Sequence, residues 1–269
     1  MSPGTAEAEK IRKVAIDHHH DAAPIFESWY ARMAEDRFAD AFTYGRHKID
    51  ALLETELKRL APGAHVLDVG CGTGAYLRRF RDLGFVPAGV EPAPAMLAAA
   101  RRDNPGVTVE EGVATSLPFA DRTFDFITCI EVLRYLSLDD TRAALAECHR
   151  VLKPGGIVFA TLVNRWALDG FFVLQRARQL LLRKEFDRKH PHCEFFTPAE
   201  AQTALEDAGL VNVRTVGRLA GPMRVAYKLP GHVGSRLAKR VEAFDDFVHE
   251  FSVTKPFAGH LIVMGERGR

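Results

Sequence analysis

Between residues 65 and 163 the chain alternates short apolar segments with longer helical ones, and this alternation constrains the fold more than any other feature. The apolar segments predict five strands, at 65–69, 86–90, 107–109, 124–130 and 157–163. Two further strands are predicted at 211–216 and 260–264. Helical segments of about ten residues between strands favour parallel pairing with right-handed crossovers. We therefore predict a doubly wound α/β sheet, which binds ligands beyond the carboxyl ends of its strands.

The region before this alternation is helical and rich in aromatic residues. Residues 1–10 are expected to form a loose terminus, and a helix is expected at about 48–60. Aromatic and apolar side chains recur at spacings near three and four, which builds one apolar helix face. They are Phe26, Trp29, Tyr30, Met33 and Phe38. We interpret residues 1–60 as an N-terminal helical cap on a core that spans 61–269.

Two segments interrupt the alternation in the second half of the chain. The first is a helical insertion at about 164–197, and the second is an excursion at about 219–255. Within the insertion, residues 166–184 combine apolar side chains on more than one helix face with several arginines. Three interpretations stay open: a lid over a largely apolar substrate, a helix in peripheral contact with a membrane, or a helix that only packs on the core.

A glycine-rich turn, DVGCGTG at 68–74, follows the first strand and precedes a helix. Glycine allows the backbone to approach a ligand closely and to adopt positive φ. The N-terminus of the following helix offers free N–H groups to whatever lies there. Because Gly70, Gly72 and Ala75 also satisfy the loose dinucleotide-binding pattern, the glycines alone do not select the cofactor.

Two acidic residues narrow the choice of cofactor. Glu91 ends the second strand, 21 residues after Gly70, where a carboxylate can hold both hydroxyls of a ribose. Asp68 lies beside the glycines, where it would repel a pyrophosphate but suit an ammonium or sulfonium charge. A nicotinamide-dependent oxidoreductase is therefore the alternative rather than the main hypothesis. A non-catalytic protein that binds an adenosyl ligand is a second alternative.

Five motifs occur in order along the chain, at 68–74, 91–97, 117–119, 124–127 and 149–156. Together they resemble the class I S-adenosylmethionine-dependent methyltransferases, in particular a branch that acts on small molecules and is similar to quinone-biosynthesis enzymes. The resemblance is strong over about 40–163 and weaker over 197–265. The expected fold is a doubly wound, Rossmann-like sheet of seven strands, mostly parallel with an antiparallel last strand, plus N-terminal helices and a helical insertion.

The resemblance implies that S-adenosylmethionine is the cofactor and assigns residues to it. The glycine turn would carry the methionyl part, Glu91 the ribose, and Met96 would lie near the adenine. Arg46 would meet the cofactor carboxylate, although a surface arginine is the competing interpretation. The full expected set is Arg46, Asp68, Gly70, Cys71, Gly72, Gly74, Glu91, Pro92, Met96, Val113, Ala114, Ile130 and Glu131. The chain has Gly112-Val113 where many relatives have Gly-Asp, which removes one polar contact to the adenine.

Methyl transfer from a sulfonium is an in-line displacement that requires alignment and exclusion of water, not a nucleophilic residue or a metal. An acceptor oxygen, nitrogen or carbon can also need a base. The candidate bases are Glu131, Arg134, Tyr135, Tyr30, Tyr44, His47, His190 and His192. No motif distinguishes any of them, so no catalytic residue is assigned.

No metal site is predicted from the two histidine-containing segments. Three consecutive residues of a helix, here 18–20, point in different directions and cannot all bind one ion, so we interpret them as an exposed polar patch. Segment 190–193, with His190, His192 and Cys193, has no second cluster at metal-ligand spacing and is interpreted as a loop.

Composition bears on the partners and the compartment. Lys plus Arg is 36 and Asp plus Glu is 35, so the basic excess that nucleic-acid binding normally requires is missing. The four cysteines are widely scattered and form no CxxC pair. No signal peptide and no apolar stretch long enough to span a membrane is visible. We expect a cytoplasmic enzyme with a small, partly apolar organic acceptor.

Overall fold

The structure is a computed structural model that describes residues 3–168, 171–182, 186–189, 191–218, 226–230, 232–248 and 255–269. Its strands are β1 (His65–Val69), β2 (Val86–Glu91), β3 (Thr108–Glu111), β4 (Phe124–Cys129), β5 (Leu152–Asn164), β6 (Phe195–Phe196), β7 (Leu210–Arg218) and β8 (His260–Arg267). Its α-helices are α1 (Pro3–Glu35), α2 (Ala41–Leu57), α3 (Ala75–Asp82), α4 (Pro94–Asp103), α5 (Leu138–Val151), α6 (Phe171–Leu182), α7 (Pro198–Asp207) and α8 (Val233–Val248). Short 3₁₀ helices cover Leu133–Tyr135 and Lys255–Phe257.

The strands form one sheet in the order β3-β2-β1-β4-β5-β8-β7. Strands β1 to β5 pair in parallel, and β8 inserts antiparallel between β5 and β7. The predicted doubly wound sheet with an antiparallel last strand is therefore confirmed. The short strand β6, which pairs in parallel with the end of β5, was not predicted. Two residues are too few to show a periodic pattern.

The order of the strands places a ligand-binding edge near the middle of the sheet. From β1 the chain continues outward to β2 and β3, and then returns to β4 on the other side of β1. This reversal is the switch point at which such sheets open a crevice. The carboxyl ends of β1, β2 and β4 meet there, because Val69 lies opposite Val90 and Asp68 opposite Thr128.

Both faces of the central strands are buried, which explains why their sequences are apolar runs rather than alternating patterns. In β1, Val66 belongs to one apolar cluster and its neighbour Leu67 to the other. The cluster that contains Val66 also includes Phe126 and Phe159, whose ring centroids are 6.4 Å apart. The sheet is therefore held by two cores, one on each face.

The helices before the core differ from the sequence-based expectation. Helix α1 runs from Pro3, where a loose terminus was expected, so that expectation was wrong. Helix α2 begins at Ala41 rather than near 48 because Asp40 caps it. The Asp40 side chain accepts from the Thr43 N–H, and the Thr43 hydroxyl oxygen accepts from the Asp40 N–H, which forms a capping box.

The two excursions each contribute one helix to the described residues. Helix α6 covers the middle of segment 166–184, and Phe171 and Phe172 pack against Phe195 at 5.7 and 5.1 Å between ring centroids. Helix α8 lies in the excursion 219–255. Residues 169–170, 183–185, 190, 219–225, 231 and 249–254 lie outside the described residues, so those parts of the expected excursions are not characterised.

We expect the Phe159→Ala variant to lose about 3–5 kcal/mol of unfolding free energy, because truncating a fully buried ring leaves a cavity between β5 and the helices. Phe257→Ala is the matched control, since that ring is 47% exposed and should change stability by less than about 0.5 kcal/mol. Urea denaturation of both variants measures the difference. Equal losses would contradict the placement of Phe159 in the core.

Candidate active site

The glycine turn follows β1 and leads into α3 with a backbone that other residues would not adopt easily. Gly70 has φ 68° and Gly72 has φ 55°. A Cβ on Gly70 would lie 2.4 Å from Cγ2 of Val132, whereas a Cβ on Gly72 would meet nothing within 4 Å. Gly70 is therefore required for packing against the end of β4. Gly72 instead faces open space, as a ligand-binding position should.

Glu91 ties this turn to the end of β2. One carboxylate oxygen, Oε2, accepts from the Gly72 N–H at 2.9 Å, and the other, Oε1, accepts from the Ala93 N–H at 2.9 Å. Glu91 is only 5% exposed, and burial raises its pKa to about 7 against the effect of these two hydrogen bonds. The carboxylate is thus held by backbone on both sides, next to the open space at Gly72.

Asp68 lies below the same turn and is 2% exposed. Its Oδ1 accepts from the Thr128 hydroxyl at 2.7 Å, a contact made possible by the pairing of β1 with β4. Burial raises the pKa of Asp68 to about 7, opposed by this hydrogen bond and by the charge of Arg46. Two carboxyl groups with raised pKa values therefore lie under the ligand-binding edge, where a bound cation would favour their charged forms.

Arg46 reaches this edge from α2 and is 6% exposed, so it is not the surface arginine of the competing interpretation. Its Nη2 donates to the Tyr30 hydroxyl at 2.8 Å, and its guanidinium lies 4.9 Å from the ring centroid of Tyr76. Its buried Nε–H has no hydrogen-bond partner among the described residues. A buried guanidinium with an unused donor is suited to a carboxylate from a ligand.

These groups surround a cavity of about 310 Å³. The expected residues that line it are Arg46, Asp68, Gly70, Cys71, Gly72, Glu91, Pro92, Met96, Val113, Ala114, Ile130 and Glu131. Gly74 does not line it, because this residue packs against Ala100 and Asn104 of the α4 region. The structure therefore brings together the expected residues except Gly74. Their role in binding a cofactor stays a prediction.

Helix α1 forms a wall of the cavity that the sequence interpretation recognised only in part. Its lining residues are Arg12, Ala15, Ile16, His19, Phe26, Trp29 and Tyr30. The first four recur at spacings of three and four, so the apolar face found at 26–30 extends further toward the N-terminus. Extending the same helical period upstream would have found them. Phe42 from α2 completes an aromatic cluster, with its ring 4.7 Å from that of Trp29.

After β4 the chain places a charged group at the rim of the cavity. Glu131 has φ 62°, and its N–H donates to the Thr161 hydroxyl at 2.8 Å. Arg134 donates to its Oε2 at 2.9 Å, and Nε2 of His260 lies 3.4 Å from its Oε1. Although burial opposes the charged form, Arg134 and His260 lower the pKa of Glu131 to about 2. Glu131 is therefore a paired anion and a poor base.

The remaining candidate bases are dispersed. Tyr44 packs with Phe38 and Ala238 and does not line the cavity. His47 contacts Glu242 at 3.2 Å, and His192 contacts Glu194 at 3.2 Å. His190 lies outside the described residues. Tyr30, Arg134 and Tyr135 do line the cavity.

The interpretation of residues 18–20 as an exposed polar patch was wrong for His19. His18 Nδ1 contacts the Arg188 carbonyl oxygen at 2.6 Å, and His20 Nδ1 accepts from the Ala95 N–H at 3.2 Å. His19 instead lies over Tyr135 in the cavity. The three side chains diverge as expected, but packing against the core, which the local pattern does not reveal, half-buries the middle one in the cavity wall.

Among the described residues, no three His, Cys, Asp or Glu side chains are arranged to hold a metal ion. In the same part of the chain, no helix combines the length and the apolar character needed to cross a membrane. None of the described residues of 164–197 lines the cavity. That segment is connected to the cavity through Arg134, which lines it and whose guanidinium lies 5.7 Å from the ring centroid of Phe171.

Residues 67–160 match a family model described as a methyltransferase domain. The chain is 33% identical to a ubiquinone biosynthesis O-methyltransferase of Pseudomonas paraeruginosa, in an alignment that covers 64% of this chain and 75% of that protein. It is 30% identical to the enzyme of the same name from Thiobacillus denitrificans, over 73% of this chain and 88% of that protein.

Solved structures are similar in fold. A methyltransferase dependent on S-adenosylmethionine from Thermotoga maritima superimposes with a TM-score of 0.59 at 22% sequence identity. The match covers 93% of this chain and 98% of that one. The fold thus has a counterpart among known structures, and the match extends beyond the residues that the family model covers.

We expect Asp68→Asn to become more stable relative to the wild type as pH rises from about 4 to about 8. The folded pKa of Asp68, about 7, lies above 3.8, the ordinary pKa of an aspartate side chain. Its contribution to stability is therefore complete below pH 3.8 and is lost as pH rises through 7. The difference should grow by at most about 4 kcal/mol. Urea denaturation across this pH range tests it, and a constant difference would contradict the raised pKa.

Proposed function

The chain belongs to the class I S-adenosylmethionine-dependent methyltransferases, and from this premise we propose that its cavity holds the methyl donor beside a small acceptor whose hydroxyl oxygen is methylated. The observation that carries the proposal is the continuity of one cavity. The same space is lined by Gly72 and Glu91 on the sheet side and by Phe26, Trp29 and Phe42 on the helical side.

The residues present fit the donor. Arg46 has a buried, unused Nε–H that suits a carboxylate, and Gly72 leaves open space beside the turn. Glu91 has both oxygens positioned by backbone N–H groups, and each oxygen keeps further lone pairs for ribose hydroxyls. Asp68 supplies negative charge close to a cationic ligand. Met96 and Val113 offer apolar surface to an adenine.

When bound, the donor supplies an activated methyl group on a positively charged sulfur. The protein's own residues then orient the donor and shield the reacting atoms from water. Arg46 and Glu91 hold the two polar ends in fixed positions, since both side chains are buried and anchored. Phe26, Trp29 and Phe42 exclude water from the side where the acceptor enters. Alignment of this kind can supply several kcal/mol of the barrier.

The aromatic wall supports an acceptor with a flat, apolar body. Rings of Phe26 and Trp29 lie 5.1 Å apart in an edge-to-face arrangement, and Tyr30 adds a hydroxyl that is engaged by Arg46. The curated relatives are named O-methyltransferases of ubiquinone biosynthesis, which favours a hydroxyl oxygen on an aromatic ring over nitrogen or carbon. In the domain arrangement that we propose, residues 1–60 cap the core at 61–269 and hold this acceptor.

A labelled-methyl assay on the full chain tests the function. We expect transfer to ring hydroxyls of phenols and catechols, with KM falling as an apolar substituent is added. Matched amines and carbon nucleophiles should react at least tenfold more slowly. Preferred methylation of an amine or a carbon would overturn the choice of acceptor atom. Tight calorimetric binding of NADH, with none of S-adenosylhomocysteine, would overturn the choice of cofactor.

We expect Glu91→Gln to weaken binding of S-adenosylhomocysteine by roughly 10- to 100-fold, because a hydrogen bond to a charged group contributes about 1.5–3 kcal/mol. Glu111→Gln is the matched control, since Glu111 pairs with Glu91 across β2 and β3 but is exposed. It should bind within about twofold of the wild type. Isothermal titration calorimetry measures both affinities, and equal effects in the two variants would refute the role of Glu91.

A further inference from the structure

One side chain of the cavity wall, an imidazole, has no role in the positioning of the ligand described above. His19 of α1 lines the cavity, and its Nδ1 lies 2.7 Å from the carbonyl oxygen of Ala15. A carbonyl oxygen only accepts, so Nδ1 carries the proton of the neutral ring. The other nitrogen, Nε2, then presents a lone pair and makes no hydrogen bond within the described part of the chain.

The ring is held in place by its neighbours. Tyr135 packs edge-on against it, with ring centroids 4.7 Å apart at 84°, and the Phe26 ring lies 5.7 Å away. Tyr135 restrains the imidazole from the core side, whereas Phe26 and the Ala15 carbonyl restrain it from within α1. A restrained ring with a defined tautomer has the geometry of a proton acceptor.

The ring is also in the required charge state. Burial lowers the pKa of His19 to about 4, in spite of its bond to Ala15, and the nearby His18 and Arg134 side chains lower it further. Tyr135 faces it from the 3₁₀ helix after β4, and Arg12 lines the same cavity from α1. No carboxylate is paired with His19 within the described residues, so the imidazole is neutral at pH 7.

The other titratable groups of the cavity are either engaged by fixed partners or already hold their protons. Glu131 is an anion paired with Arg134 and His260. Glu91 is anchored to two backbone N–H groups, and Asp68 lies beneath the turn against Thr128. Burial raises the pKa of the remaining thiol and phenols, which keeps them protonated; these are Cys71, Tyr30, Tyr76 and Tyr135.

We propose that His19 is the general base of the reaction and takes the proton of the acceptor's hydroxyl at Nε2. The proposal rests on the proposed function above. His19 accepts the hydroxyl proton while the oxygen forms its bond to the methyl carbon and the bond from that carbon to sulfur breaks. The sulfur keeps the electron pair and becomes neutral as the imidazole becomes positive. The total charge in the cavity is therefore unchanged, so the transfer needs no further counter-ion.

The test compares His19→Gln with His20→Gln in the full chain, using a catechol acceptor. Glutamine fills a similar volume but cannot take a proton. We expect kcat of His19→Gln to fall by about 100-fold or more, while the affinity for S-adenosylhomocysteine stays within threefold. His20→Gln should keep kcat within about twofold, since that exposed side chain is outside the cavity lining.

Two further measurements distinguish a base from a packing residue. With a nitro-substituted catechol, whose hydroxyl is already ionised at the assay pH, the deficit of His19→Gln should shrink to less than tenfold. In the free protein, ¹⁵N NMR of labelled histidines should show His19 as the neutral Nδ1–H tautomer at pH 7, assigned by its loss in His19→Gln.

The outcomes separate the two proposals. If the wild type binds S-adenosylhomocysteine but methylates no hydroxyl, the proposed acceptor is wrong and the proton transfer is overturned with it. If the wild type turns over and His19→Gln keeps its rate, only the role of His19 is overturned. A deficit of the same size with both catechols, or an imidazolium at pH 7, would also overturn that role.

Discussion

The two hydrogen bonds that Glu91 accepts from the backbone of Gly72 and Ala93 join the ends of β1 and β2 into one ligand-binding edge. The glycine turn can adopt this position only because Gly70 leaves room for Val132 from the neighbouring strand end. The carboxylate is consequently buried, and burial raises its pKa to about 7. Part of the cost of that burial is recovered when a ligand with hydroxyl groups or positive charge occupies the edge.

The other half of the cavity depends on α1, a 33-residue helix outside the family model. The helix lies across the open edge of the sheet and contacts α4 and the 3₁₀ helix after β4. Its aromatic residues and His19 face the same space as the turn, although they are 38 or more residues away in sequence. The sheet side of the cavity and the opposing helical wall are thus built by separate parts of the chain.

The sheet was predictable from sequence because each strand is a short apolar run between helical segments, and this pattern directly reflects burial on both faces. The strand bounds agree closely at β1, where 65–69 was expected and His65–Val69 is found. Agreement fails at α2, whose start depends on one cap at Asp40, and at β6, which is too short to carry a period. A single capping residue or a two-residue strand is too short a pattern to be distinguished from chance in a sequence.

The sequence alone determined the fold and most of the sheet side of the cavity, because strand–turn–helix motifs place Gly72 and Glu91 through short-range geometry. The donor followed from the resemblance of five ordered motifs to known methyltransferases, not from that geometry. Only the tertiary structure decided which face of α1 covers the site, that Gly74 serves packing, and that His19 is half-buried in the cavity wall rather than exposed. The physical reason is that the first set depends on neighbours along the chain and on adjacent strands. The second set depends on contacts between elements far apart in sequence, which no local period encodes.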